Sequence, residues 1–173
     1  MRPDFELVEF GPLTLRQWVE LTGHEPAPFG RTTATLSFRA KDHHVGFRDS
    51  NGGLVAAVGA TIVTLSVEDG EPFEVVGGGG LIVRRDLRGQ GLSAPLTAAL
   101  RELVVALGPD RAMIFCEPDL LDLHTRRGYT RIEAPIFVDQ PGGRTQMPLP
   151  GMWRAIRPSS WPPGRVDLRG LPF

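Results

Sequence analysis

The sequence lacks the features on which several broad classes of protein depend. Its 173 residues include one cysteine, so no disulfide can form within the chain. The formal net charge is −1 and no long basic run is present, which argues against a nucleic-acid partner. No apolar run reaches membrane-spanning length, and the first residues do not resemble a signal peptide. We therefore expect a cytoplasmic protein that binds neither nucleic acid nor membrane.

Lysine and tyrosine are also scarce, with Lys41 and Tyr129 as the sole examples. Arginine therefore supplies nearly all of the 19 basic residues. The four histidines and the carboxylates show no spacing typical of a metal site, and we expect no metal. The length predicts one domain over residues 1–157. The Pro/Arg-rich tail over residues 158–173 is expected to be loosely ordered or to lie across a neighbour.

The most informative stretch runs from Gly77 to Leu107 and predicts a strand, a glycine turn and a helix. Residues 81–83 form a short apolar run of the kind found in buried strands. Gly89 and Gly91 permit a sharp turn and a close approach of the backbone to a ligand, because they carry no Cβ. Apolar residues then recur at helical spacing, and Ser93 is predicted to cap this helix.

A turn of this kind predicts an anion site. The first N–H groups of a helix have no partner within the helix and lie at the positive end of its dipole. A glycine turn in front of them leaves these groups open to a phosphate or pyrophosphate. Arg88 adds a permanent cation beside the turn. The alternative is an ordinary strand-to-helix turn with surface arginines, and this stretch alone leaves both open.

The rest of the sequence predicts β-hairpins before this stretch and short strands and helices after it. Strands are predicted at residues 5–10, 43–49, 54–67, 73–83, 112–116, 129–138 and 152–156. Helices are predicted from Thr14 to Gly23 and from Pro118 or Asp119 to Arg127, and residues 32–41 weakly favour extended structure. The hairpins make the first part of the sheet antiparallel, whereas the strands flanking the central helix should be parallel.

Two segments resemble motifs of one enzyme family. Arg88-Gly89-Gln90-Gly91-Leu92-Ser93 is similar to the acetyl-CoA pyrophosphate loop of the GCN5-related N-acetyltransferase (GNAT) superfamily, with Ser93 where the family has Gly or Ala. Leu123-His124-Thr125-Arg126-Arg127-Gly128-Tyr129 resembles the family's late segment, usually Leu-Tyr, three residues, Gly-Phe. The order of elements also matches over roughly residues 45–156. The resemblance implies an α+β fold with a mixed, mostly antiparallel sheet, two splayed parallel strands and flanking helices.

The resemblance also implies acetyl-CoA as co-substrate, bound between the splayed strands. Backbone groups of Leu81, Ile82 and Val83 would bind pantetheine, and the thioester would point into the cleft below Gly77 to Gly80. Glu117 stands where many members have asparagine, and would orient a ligand or cap the helix that follows. The coenzyme would be framed by the loop residues Arg88, Gly89, Gln90, Gly91, Leu92, Ser93 and Ala94.

The chemistry implied by the resemblance is direct attack of an amine on the acetyl carbonyl in a ternary complex, with a proton supplied to the departing thiolate. His124 stands where the family often has an acid tyrosine, and histidine titrates near neutral pH. Glu74 is the candidate base, with a solvated hairpin charge as its alternative. Tyr129 is a third catalytic candidate in a position that usually serves packing. Cys116 is assigned to the core.

Two other functions remain open. A non-catalytic acyl-CoA-binding module would keep the cleft and lack the acid and base. Gly89-x-Gly91-x-x-Ala94 also fits a NAD(P) dinucleotide fingerprint with Glu117 as ribose partner, although five residues separate Val83 from Gly89. The acceptor is expected to be a small-molecule or peptide amine. A homodimer formed through the last strands or the tail is a further hypothesis, which light scattering would test.

Overall fold

The computed structural model describes residues 5–173, in which a single mixed sheet carries four helices. The strands are β1 (Glu6–Phe10), β2 (His43–Arg48), β3 (Leu54–Val67), β4 (Phe73–Val83), β5 (Arg111–Phe115), β6 (Thr130–Arg131), β7 (Ile136–Gln140), β8 (Gly143–Gln146), β9 (Gly151–Ala155) and β10 (Val166–Leu168). The helices are α1 (Leu15–Thr22), α2 (Arg31–Ala34), α3 (Ser93–Leu107) and α4 (Leu121–Arg126). Short 3₁₀ turns at Arg85–Leu87 and Pro118–Leu120 precede α3 and α4.

The sheet topology confirms the predicted fold class. The strand order is β6-β9-β5-β4-β3-β10-β7-β8, and the β1–β2 pair joins the first half of β3. The pairs β2–β3 and β3–β4 are antiparallel, as the hairpins predicted. The strands on either side of α3, β4 and β5, are parallel. No helix within residues 5–173 is long and apolar enough to cross a membrane.

β3 and residues 75–78 of β4 are buried on both faces, which explains the nearly continuous apolar sequence of β3. On one face, Ala60 and Val76 pack against Val104 of α3. On the other face, Leu65 and Val75 belong to a core cluster that also contains residues of β7 and β10. Each fully buried valine or leucine contributes about 1.5–3 kcal/mol to stability, so these two faces hold the sheet together.

Local sequence signals predicted the ends of α1 correctly, but they did not predict the start of α3. Thr14 and Gln17 form a reciprocal capping box, and Gly23 ends α1 in the left-handed conformation at φ 55°. The predicted cap at Ser93 is wrong. Leu92 precedes α3 and already has helical φ and ψ values, so Ser93 is the first residue of the helix.

Two other expectations about secondary structure are wrong. The N-terminal part of the segment predicted as extended, residues 32–34, lies in the short helix α2, which follows Gly30 at φ 103°. The predicted strand at residues 129–138 is two strands, β6 and β7. Pro135 lies between them and has no N–H for a strand ladder, although its carbonyl accepts a hydrogen bond from the Val166 N–H at 3.0 Å.

The Pro/Arg-rich tail contains a strand of the sheet. Val166–Leu168 pairs antiparallel with β3 and parallel with β7. Further along, Phe173 is buried and packs against Phe115, with ring centroids 5.0 Å apart. The expectation of a loose tail is therefore wrong for this segment, because burial of a few apolar side chains outweighs its turn-rich composition.

We predict that Leu168→Ala lowers the free energy of unfolding by about 2–5 kcal/mol, because Leu168 is 0% exposed and the substitution leaves a cavity. Urea denaturation measures the change. Leu15→Ala, at a side chain 80% exposed, is the matched control and should change stability by no more than about 0.5 kcal/mol. Equal effects of the two substitutions would show that β10 contributes nothing to the core.

Candidate functional site

β4 and β5 pair over only part of their length. Their parallel ladder ends at Gly78 and Ile114, whereas β4 continues to Val83. Beyond Gly78 the side of β4 that faces β5 has no strand partner within residues 5–173. A gap therefore opens between two adjacent parallel strands, as the predicted splay requires.

A β-bulge in β4 marks the point where the strands part. Gly79 pairs with Gly59 of β3 and Ile82 pairs with Ala57, so β4 has one residue more than β3 over this interval. Gly80 lies inside the bulge at φ 66°, in the left-handed region that glycine adopts at least cost. The run of four glycines from Gly77 to Gly80 therefore contains the bulge.

The strand alternation decides which backbone groups face the gap. The Arg84 N–H donates to the Val55 carbonyl of β3 at 2.8 Å. Successive residues of a strand point their backbone groups to opposite sides, so Ile82 shares the β3 side and Leu81 and Val83 face the gap. Leu81 and Val83 can therefore bind an added strand-like ligand. The backbone of Ile82 cannot, contrary to the prediction.

The loop after β4 leaves its backbone donors free. Gly89 and Gly91 have φ values of 78° and 82°, which turn the chain sharply into α3. Within the described chain, the N–H groups from Gly89 to Ala94 donate no hydrogen bond to protein. They lie at the N-terminus of the 15-residue helix α3, where the dipole favours negative charge. This arrangement suits a phosphate or pyrophosphate.

The gap and the loop border one groove of about 450 Å³. It is lined by Pro28, Leu81, Ile82, Val83, Leu87, Arg88, Gly89, Gly91, Leu92 and Ser93. Pro28 and Leu87 were not among the predicted site residues. Gln90, Ala94 and Glu117 were predicted, yet they do not line this groove, and the first two are exposed.

Arg88 folds back over the groove edge. Its guanidinium donates to both carboxylate oxygens of Glu25, at 2.6 and 3.3 Å, and its Nε donates to the Val83 carbonyl at 3.0 Å. The bond from Arg88 lowers the pKa of the Glu25 carboxyl, so the pair stays charged near neutral pH. Arg88 thus ties the loop to β4 and to the α1–α2 connection, and the predicted free cation is neutralised.

The predicted catalytic residues do not converge. Glu74 is exposed and lies before the bulge. Its side chain is on the same face of β4 as Val76 and Gly78, which is the face toward α3. His124 of α4 packs edge-on against Tyr129 at 5.9 Å, and its Nδ1 is buried without a hydrogen-bond partner in the described chain. Burial and then Arg127 lower the pKa of His124, whereas burial raises the pKa of Tyr129.

Glu117 follows β5 and packs on the segment before α2. A Cβ added to Gly30 would lie 2.5 Å from Oε1 of Glu117, so the two residues are in close contact, and the φ of 103° at Gly30 favours glycine. Oε1 is buried and has no hydrogen-bond partner within residues 5–173. A buried carboxylate oxygen without a partner is costly, which makes Glu117 a candidate contact for a bound polar group.

Lys41 is the main residue that the sequence motifs missed. A methyl group built on Gly80, in the bulge, would lie 3.5 Å from its Nζ. The sequence singled out Lys41 only as the sole lysine, and no local pattern linked residue 41 to residue 80. Among the described residues, no cluster of three or more His, Cys, Asp and Glu side chains could hold a metal ion.

Comparison with solved structures identifies this architecture. The GNAT-family N-acetyltransferase YhbS from Escherichia coli, in complex with CoA, matches with a TM-score of 0.61 at 16% identity, over 98% of this chain and 93% of that chain. A putative N-acetyltransferase from Lactobacillus plantarum matches with a TM-score of 0.56 at 15% identity, over 88% of this chain and 98% of that one. The chain has the GNAT fold.

A third structure with the GNAT fold carries two ligands. N-acetylglutamate synthase from Neisseria gonorrhoeae, complexed with coenzyme A and N-acetyl-glutamate, matches with a TM-score of 0.55 at 8% identity, over 89% of this chain and 36% of that one. No protein-family model and no curated protein sequence matches the chain. The predicted resemblance is thus confirmed at the level of the fold. The mostly antiparallel GNAT sheet also removes the doubly wound fold that the dinucleotide alternative requires.

Cys116 should behave as a core residue. Its side chain is buried beside Ile114 and Met152, and burial raises the pKa of its thiol. We predict that iodoacetamide at pH 7.5 alkylates Cys116 at least about tenfold more slowly in the folded protein than in urea. The folded protein holds less of the reactive thiolate and limits access of the reagent to the sulfur. Mass spectrometry follows the reaction. Equal rates in the two states would make Cys116 an accessible nucleophile.

Proposed function

We propose that this chain is an N-acetyltransferase that binds acetyl-CoA in the groove beside β4 and transfers the acetyl group to an amine. The observation that carries the proposal is the continuity of two sets of free backbone groups. The backbone of Leu81 and the N–H of Val83 face the gap, and the N–H groups of residues 89–94 follow at the loop. Pantetheine is an amide chain attached to a pyrophosphate, so it matches both sets in order.

The transfer proceeds by direct attack in a ternary complex. The amine nitrogen attacks the acetyl carbonyl carbon and loses one proton to solvent, the thioester C–S bond breaks, and coenzyme A leaves as a thiolate that takes up a proton. The thioester would lie near the bulge at Gly79 and Gly80, where β4 leaves β5. The free N–H groups of the loop bind the coenzyme and orient it, and they take no part in the bond changes.

His124 is the candidate acid, supported by its buried Nδ1 without a partner in the described chain. The pKa of His124 is lowered from 6.5, so little of its imidazole is protonated at neutral pH. If His124 is the acid, turnover should therefore decline as the pH rises through this lowered pKa. Glu74 is not kept as the base, because it lies on the α3 face before the bulge. Tyr129 is kept as a packing residue.

A non-catalytic acyl-CoA-binding module is the second candidate. It is favoured by one observation: the side chains of Phe29, Lys41 and Phe173 cover the β4 glycines on the face away from α3. In that case the coenzyme would bind and no added amine would be acetylated. A screen of amines of varied size and charge distinguishes the two functions. Release of the free thiol of coenzyme A is the measured signal of acetyl transfer.

Ser93→Glu tests the coenzyme site. The new carboxylate lies at the N-terminus of α3, where an acidic side chain favours the helix, so the fold is retained. We expect the Kd for acetyl-CoA to rise roughly tenfold or more, because the carboxylate repels the pyrophosphate. Calorimetric titration with acetyl-CoA, CoA and NADH measures the effect.

Thr145→Glu makes the same charge change on the exposed strand β8 and should leave affinity unchanged. If the parent protein binds NADH in preference to acetyl-CoA, or if Ser93→Glu binds acetyl-CoA as tightly as the parent, the pyrophosphate assignment is wrong.

His124→Phe tests the acid. We expect turnover to fall roughly tenfold to a thousandfold, since loss of a positioned acid or base removes a contribution of about that size. The affinity for acetyl-CoA should stay within about twofold, because His124 does not line the groove. Initial rates at saturating acetyl-CoA measure turnover. Tyr129→Phe is the companion variant and should retain activity. Unchanged turnover in His124→Phe returns His124 to a structural role.

A further inference from the structure

Lys41 lies beside the β4 bulge, on the face of the sheet away from α3. Its Nζ would lie 3.5 Å from a methyl group built on Gly80, and its Cε 3.9 Å from one built on Gly79. Gly78 faces the other way, toward Leu100 of α3. Within residues 5–173 the amine forms no hydrogen bond or ion pair, and burial lowers its pKa. The sole lysine of the chain thus presents a free amine at the parting of β4 and β5.

The segment that carries Lys41 is held at several points. The Gln140 side-chain amide accepts from the Ser37 N–H at 2.8 Å and donates to the Ser37 carbonyl at 2.9 Å. The Arg39 N–H donates to the Pro172 carbonyl at 2.8 Å. The Thr61 hydroxyl donates to the Asp42 carboxylate, directly after the lysine. These anchors fix the backbone, so the position of Lys41 is built into the fold.

The surroundings of Lys41 are mainly apolar. The Phe29 ring lies 3.9 Å from a Cβ built on Gly80, and the Phe173 ring covers Gly77. Burial lowers the pKa of Lys41 from 10.5 to about 8. About half of the amine is therefore unprotonated near pH 8, the form that can attack a carbonyl.

The titratable neighbours add little charge at the amine. His44, on β2, shares the space above Gly59 with the Lys41 stem, and its Nδ1 bonds to the Gly11 carbonyl at 2.8 Å. Burial lowers the pKa of His44, so this ring is neutral near pH 8. Asp42 accepts from the Thr61 hydroxyl and pairs with Arg39 at 4.0 Å, and Glu117 lies against Gly30. The glycines of β4 supply no charged side chain.

We propose that Lys41 is an internal acyl acceptor, which takes the acetyl group of acetyl-CoA bound in the groove. The Nζ lone pair attacks the acetyl carbonyl carbon, an N–C bond forms, and the C–S bond breaks. The nitrogen loses one proton to solvent, and coenzyme A takes one up to leave as the thiol. The proposal rests on the proposed function, because acetyl-CoA must bind with its thioester at the bulge.

Acetylation also removes an energetic cost. A half-buried ammonium without a partner in the described chain is poorly solvated, whereas an acetyl-lysine amide is neutral. The product is therefore better suited to the site than the charged lysine.

Mass spectrometry of the intact protein after incubation with acetyl-CoA tests the proposal. We expect one added acetyl group, which peptide mapping assigns to Lys41 and distinguishes from the N-terminal amine. The rate should rise between pH 6 and 9 with a midpoint at about 8. Because held reactants react faster than free ones, the folded protein should be acetylated at least about tenfold faster than the urea-unfolded chain.

Two variants serve as controls. Lys41→Arg should bind acetyl-CoA with unchanged affinity and gain no acetyl group. Ser93→Glu should keep Lys41 and acetylate it more slowly at limiting acetyl-CoA, and added CoA should slow the parent protein in the same way. Acetyl-CoA binding without acetyl-Lys41, or acetylation no faster than in urea, overturns this inference alone. Absence of acetyl-CoA binding overturns the proposed function and this inference with it.

Discussion

The candidate site depends on one constraint: after Gly78, β4 can no longer pair with β5. Backbone groups that lose a partner cost about 1–3 kcal/mol each when they are buried, so they must face solvent or a ligand. The glycine run meets the geometric demands of this departure. Gly80 takes the left-handed conformation inside the bulge, and Gly77 leaves room for the Phe173 ring, which would lie 2.5 Å from an added Cβ. The groove is thus a consequence of the sheet rather than a separate addition to it.

The electrostatics of the groove come from the backbone more than from side chains. Arg88 is the side-chain cation nearest to the glycine loop in sequence, yet it is 41% exposed and paired with Glu25. Exposed ion pairs contribute only about 0–1 kcal/mol, so the pair serves mainly to hold the loop against β4. In the proposed function, the positive charge that faces the pyrophosphate therefore comes from the N-terminus of α3 and the free N–H groups before it.

Local signals in the sequence predicted the features that local chemistry determines. The hairpins, the parallel pair around α3, the span of α1 and the glycine loop were all predicted from residues near one another in the chain. The features that the sequence did not predict join distant residues. Glu25 meets Arg88, the strand at Val166–Leu168 enters the sheet beside β3, and Lys41 reaches Gly80. No periodicity or spacing encodes such contacts, because they depend on how the elements pack.

The central claim is that two sets of free backbone groups bind one extended ligand. Hydrogen exchange of individual amides, measured with and without CoA, tests it most directly. The account predicts that CoA slows exchange at Leu81 or Val83 and within residues 89–94, and leaves Ile82 unchanged because its backbone already pairs with β3. Protection confined to other parts of the chain, or none at saturating CoA, would contradict the account.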